Sequence, residues 1–191
     1  MTLIKKSFFI FLLSLGVNFS VLNSGKAATS ASTEFKATIV GGACDITAPL
    51  TIVINGGTVI SSEEIASKAN PAEVFELNLS GCQGYGLTPA ITLEGNVSNI
   101  SGTPLFLNNT STTKGYGILL ATVGNGNFKK NDNLAADMKI TATDKPWSVT
   151  QTSILNGSLL MIASVSCGDC TGSDMQGGEL KAAVAFKFVY N

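Results

Sequence analysis

Gly178-Glu179-Leu180-Lys181-Ala182-Ala183-Val184-Ala185-Phe186-Lys187-Phe188-Val189-Tyr190-Asn191 decides the fold. With a period of two, one face carries Leu180, Ala182, Val184, Phe186, Phe188 and Tyr190. The other carries Lys181, Ala183, Ala185, Lys187, Val189 and Asn191. Alternation rich in β-branched and aromatic residues marks a strand with one face in a core. Chain ends fray unless something ties them down. An aromatic at the end of the apolar face therefore needs a cover, and what covers it is the functional question.

The rest of the chain repeats this pattern in shorter pieces. Strands are expected over residues 35–40, 46–54 with a break at Pro49, 74–79, 90–95, 115–122, 138–140, 147–150 and 159–165. Phe75, Leu77 and Leu79 share one face of the 74–79 run, which continues to Cys82. Asn55-Gly56-Gly57, Gln83-Gly84-Tyr85-Gly86 and Gly124-Asn125-Gly126-Asn127 read as turns. A polar loop is expected from Gly95 to Pro104. One helical turn is expected over residues 61–68, opened by Ser and Glu and ended by Asn70-Pro71. About eight to ten short strands separated by turns predict an all-β antiparallel sandwich.

A chain of 191 residues suits one domain. It is 45% hydrophobic and 13% charged, which supplies a sizeable core from a charged share about half the usual one. Every basic residue is Lys and the formal net charge is −1, so no basic stripe points to nucleic acid. With no His, a Ser-His-Asp triad, an imidazole base and a His-ligated metal are excluded. The carboxylates are scattered, and their spacing suggests no catalytic pair. The expectation is a protein that is not an enzyme and needs no cofactor or metal.

Residues 1–27 read as a secretory signal peptide. Lys5 and Lys6 form the positive start, residues 7–22 the apolar core, and Gly25 and Ala27 the small residues before cleavage after Ala27. The competing membrane anchor needs about 20 apolar residues, and this run is shorter. Export sets the reading of the cysteines. Cys44 and Cys82 are expected to form a disulfide. Cys167-Gly168-Asp169-Cys170 is open to a redox site, half a metal site or a local disulfide. Its Gly/Asp/Thr/Ser surroundings favour a small structural disulfide pinching a hairpin loop. Residues 28–34 are short, small and polar, with nothing to bury.

Four stretches carry a resemblance. Phe35-Lys36-Ala37-Thr38-Ile39-Val40-Gly41-Gly42-Ala43-Cys44, after a polar leader, resembles the first strand of pilus subunits assembled by the chaperone–usher pathway, the type 1 pilin-like family. Phe75-Glu76-Leu77-Asn78-Leu79-Ser80-Gly81-Cys82 resembles the strand reaching that family's second cysteine. Gly115-Tyr116-Gly117-Ile118-Leu119-Leu120 is similar to its middle strand, and the alternation ending in Tyr190 to its end motif. In order and spacing the set spans residues 28–191.

The resemblance implies an incomplete immunoglobulin-like antiparallel sandwich over residues 35–191, completed by a donor strand from a neighbouring subunit. The groove for a periplasmic chaperone, and then for the next subunit, would involve Val184, Phe186, Phe188, Tyr190 and Asn191. The donor extension would be residues 28–34, presenting Thr29, Ala31 and Thr33 and extended by Phe35. The implied partners are the chaperone, an outer-membrane usher, neighbouring subunits and a host receptor. The implied destination is the cell-surface fimbrium, reached through the periplasm, with a role in adhesion. The leader has no Gly and no bulky aliphatic residue. That opens the alternative of a single-domain tip adhesin or invasin on the same fold.

Overall fold

The structure is a computed structural model and describes residues 42–172 and 174–190. All of them belong to one compact unit. The strand expected over residues 35–40 and the signal peptide lie outside the described residues.

Nine strands occur among the described residues, in two antiparallel sheets that form an all-β, sandwich-like fold. The larger sheet holds β1 (Gly42–Thr47), β2 (Ala72–Gly84), β8 (Gly157–Ser166), β6 (Gly117–Thr122), β5 (Thr103–Phe106) and β4 (Val97–Ile100), in that spatial order. The smaller one is β7 (Lys139–Thr141), β3 (Pro89–Gly95) and β9 (Val184–Tyr190). Period-two alternation places Leu77 and Leu79 of β2, Leu159, Met161 and Ala163 of β8, and Ile91 and Leu93 of β3 in one core between the sheets.

The pairing of β1 with β2 contains a bulge. Ala43 faces Gln83 and Asp45 faces Ser80, so Gly81 and Cys82 together oppose Cys44. Gly81 has φ +60°, the left-handed conformation that a G1 bulge requires. The extra residue turns the Cys82 side chain inward after Leu79. Cys82 is buried and disulfide-bonded to Cys44 across the two strands. The Cys82 N–H donates to the Asn156 side chain at 3.0 Å, which ties the bulge to the start of β8.

Several expectations need correction. The strand read over residues 46–54 stops at Thr47, and residues 48–53 join no ladder. Pro49 has no N–H to donate, and the chain leaves β2 there. The polar loop before Pro104 is instead a hairpin of β4 and β5. Ser101 (φ 45°) and Gly102 (φ 79°) form its two-residue turn, as a primed turn demands. Residues 147–150 form a 3-10 turn, Trp147–Val149, rather than a strand. Pro146 opens it, and the buried indole N–H donates to the Thr143 carbonyl at 2.8 Å, which bends the chain back on itself. The expected helical turn is present as Ser62–Ala66, with a full capping box between Ser61 and Glu64. It ends before Asn70-Pro71, because Lys68 turns left-handed at φ 58°. The last strand begins at Val184, and residues 180–183 precede it outside the ladder.

Candidate functional site

β9 is an edge strand. It pairs with β3 from Gly95↔Val184 to Pro89↔Tyr190, and no described strand pairs with its other edge. Along that open edge runs a groove of about 1280 Å³. Val184 and Phe186 of β9 form one wall. The floor is the inward face of the larger sheet: Phe75 of β2, Ala163 and Val165 of β8, and Ile118 and Leu120 of β6. Residues 48–54 form the opposite lip with residues 57–60.

The floor and wall look like a core that stops short. Further along the same strands, Leu77, Leu79, Leu159 and Met161 are buried. Under the groove, Leu120 and Ala163 are still buried, but Phe75, Ile118, Val165, Val184 and Phe186 are only half-buried. The opposite lip is more exposed still, with Leu50 at 104% and Val59 at 93% of full exposure. An apolar run with strand-like composition, an unpaired edge and an apolar floor therefore lie together. Open apolar edges of this kind template added strands.

The other proposed groove residues are placed differently. Phe188 packs against the main core, with its ring 4.9 Å from that of Tyr190 in an edge-to-face contact. The Tyr190 hydroxyl donates to the Gln83 carbonyl at 3.0 Å, so β9 is tied to the end of β2 there. Neither residue lines the groove. Asn191 and the leader residues Thr29, Ala31, Thr33 and Phe35 lie outside the described residues. Nothing in the sequence marks Ile118, Leu120, Ala163 and Val165 as floor residues of a groove. Their alternation looks like that of any core strand, and only the missing cover distinguishes them.

Burial pushes the Tyr190 phenol above its ordinary range. The folded state then favours the neutral phenol. Its contribution is complete below pH about 10 and is lost as pH rises through the raised value. Denaturant midpoints measured against pH are expected to fall in that alkaline window, and the Tyr190→Phe variant should lack this part of the fall. An identical alkaline limb in both proteins would remove the assignment.

Cys167 and Cys170 are disulfide-bonded, and Cys167 is buried. The loop that contains them joins β8 to β9, which lie in different sheets, so it is a crossover loop and not the hairpin expected. Asp169 is held below its usual range by hydrogen bonds from the Thr171 hydroxyl at 2.7 Å and the Thr171 N–H at 3.1 Å. These contacts fix the chain on either side of Cys170, and the Cys170 N–H donates to the Cys167 carbonyl at 3.0 Å to close the turn between the two cysteines. Among the described residues no group of three or more His, Cys, Asp or Glu side chains could hold a metal ion.

Main-chain groups on an open edge beside an apolar floor are the two features that strand addition uses. No family model matches this chain, and the search of curated proteins gave no match.

Proposed function

We propose that this chain is a structural subunit of a bacterial surface fimbria, exported through the periplasm and assembled by donor-strand complementation and exchange. In this reading the sandwich is an immunoglobulin-like domain lacking one strand. A periplasmic chaperone supplies that strand first, and the leader of a neighbouring subunit replaces it at the usher. The protein performs no catalysis and contributes to adhesion as part of the fibre.

The observation that carries the reading is the groove between the open edge of β9 and residues 48–54. Leu50-Thr51-Ile52-Val53-Ile54 has strand composition but no strand partner among the described residues. A strand laid in the groove would pair with β9 on one side and meet this lip on the other. Sequence preference and observed conformation, which disagree in this segment, would then agree.

Hydrogen exchange tests this directly. Amides of Val184–Tyr190 and of residues 50–54 should exchange several-fold more slowly once a donor strand is fused after Asn191, because strand pairing protects amides from opening. Unchanged exchange in both segments would reject strand addition at this groove. The composition of residues 28–34 supports the second reading, a tip adhesin or invasin that accepts a strand and donates poorly. A leader shown to fill a neighbour's groove would exclude it.

A further inference from the structure

We infer that the Cys167–Cys170 disulfide backs a terminal pocket of the groove that takes an aromatic ring, and that this ring is Phe35 of a second copy of the chain. The inference rests on the strand-acceptance reading and names the occupant of one part of the same groove.

The geometry follows from the register. Inward positions on β8 step through Met161, Ala163 and Val165, and the next in line is Cys167. On β6 they step back through Leu120 and Ile118, and the next is Tyr116. Ala163 faces Leu120, and Val165 faces Ile118. Cys167 and Tyr116 thus form the closing row of the floor. Both are buried and share a small cluster with Ile65, on which Ile60, Val165, Cys170 and Met175 pack. Ile60, Ile65, Tyr116, Val165 and Met175 all line the groove. This end of the groove therefore has a phenol ring and a thioether in its wall and a disulfide behind them. Rings and polarizable sulfur favour an aromatic guest over a small aliphatic one.

The leader supplies one such guest. Between residues 28 and 38 the only bulky apolar side chain is Phe35, preceded by the seven residues 28–34. β9 also has seven residues. Its Tyr190 end is tied to Gln83, so its Val184 end lies toward the Ile118 and Val165 row. With Phe35 in the terminal pocket, Thr33 and Ala31 run back past Val184 and Phe186, antiparallel to β9, and Thr29 lies beyond the part of the strand that lines the groove. A leader of small residues with one aromatic anchor is then a matched donor for this groove, so tight binding of the natural peptide decides against the tip reading, in which the leader donates poorly.

The test uses the full chain, exported and purified, and two synthetic peptides covering residues 28–36. One peptide has the natural sequence and the other carries Phe35→Ala. The natural peptide should bind at least about tenfold more tightly, the ratio that burying one aromatic side chain gives. In the double variant Cys167→Ala/Cys170→Ala, and separately in Met175→Ala, which keeps the disulfide, the ratio should shrink to about threefold or less. Ile118→Ala, in the middle of the floor, should weaken both peptides and keep the ratio. Equal binding of both peptides to the unmodified chain overturns the pocket and leaves strand acceptance standing. A ratio unchanged in both end-wall variants also overturns it. Failure of both peptides to bind overturns the pocket and pairing through this leader, while the hydrogen-exchange test with the fused strand decides strand acceptance separately.

Discussion

A donor strand fused after Asn191 through a flexible linker should raise the thermal midpoint of the protein by about 10–20 °C, at about 2–4 °C per kcal/mol for a chain of this size. The estimate starts from the groove. Phe75, Ile118, Val184 and Phe186 are half-buried and would be covered. The incoming strand would bury two or three apolar side chains of its own. Fully burying a large apolar side chain contributes about 1.5–3 kcal/mol. The new ladder adds about 1 kcal/mol for each net hydrogen bond, which roughly offsets the cost of ordering the added residues at about 1–2 kcal/mol each. Side-chain burial therefore sets the gain, on the order of 5 kcal/mol. A Phe186→Asp variant is the internal control. It puts a charge on the groove wall, so the fused strand should add little there, because burying an unpaired carboxylate is costly. Scanning calorimetry of the four proteins, with and without the strand and with and without the Asp, decides the matter. An equal midpoint with and without the strand would mean that the sandwich completes itself. The protein would then be a free-standing binding module.

Much of this architecture can be read from the sequence, because the sandwich is built from period-two alternation. Phe75, Leu77 and Leu79 announce β2, and Val184, Phe186 and Phe188 announce β9. Failures came where a local rule outweighed the pattern. Ser101-Gly102 is a two-residue turn signal, but it is embedded in residues polar enough to pass for a loop. Trp147 has strand-like neighbours, yet Pro146 and the indole hydrogen bond to Thr143 set a 3-10 turn. Residues 48–54 are the most informative case. Their composition asks for a strand, yet among the described residues none pairs with them in a ladder. Periodicity reports which face of a segment is apolar. It does not report whether a partner strand is present, so the groove itself could not be located from the sequence. The ladder of β9 with β3, and with no described strand on its other edge, locates it.

Removing the Cys44–Cys82 disulfide should be among the most costly changes the domain can suffer. The bond spans a separation of 38 residues. Chain entropy alone gives about 4 kcal/mol for a loop of that size, against about 2 kcal/mol for the three-residue separation of Cys167 and Cys170. The site adds to this. Among the described strands β1 has a single sheet neighbour, β2, and the bond lies where the bulge at Gly81 interrupts their pairing. The expected outcome for Cys44→Ala/Cys82→Ala is a loss of about 4 kcal/mol in urea unfolding, or a midpoint lower by about 8–16 °C. A loss under about 1 kcal/mol would show that β1 holds its place without the bond. The consequence reaches the groove, because β1 leads directly into residues 48–54. With the bond gone, that lip loses its anchor, and strand uptake should weaken even where the core remains folded. Measuring peptide binding by the double variant well below its unfolding midpoint separates the two effects. Full affinity there would confine the disulfide to global stability, and reduced affinity would make it part of the binding groove.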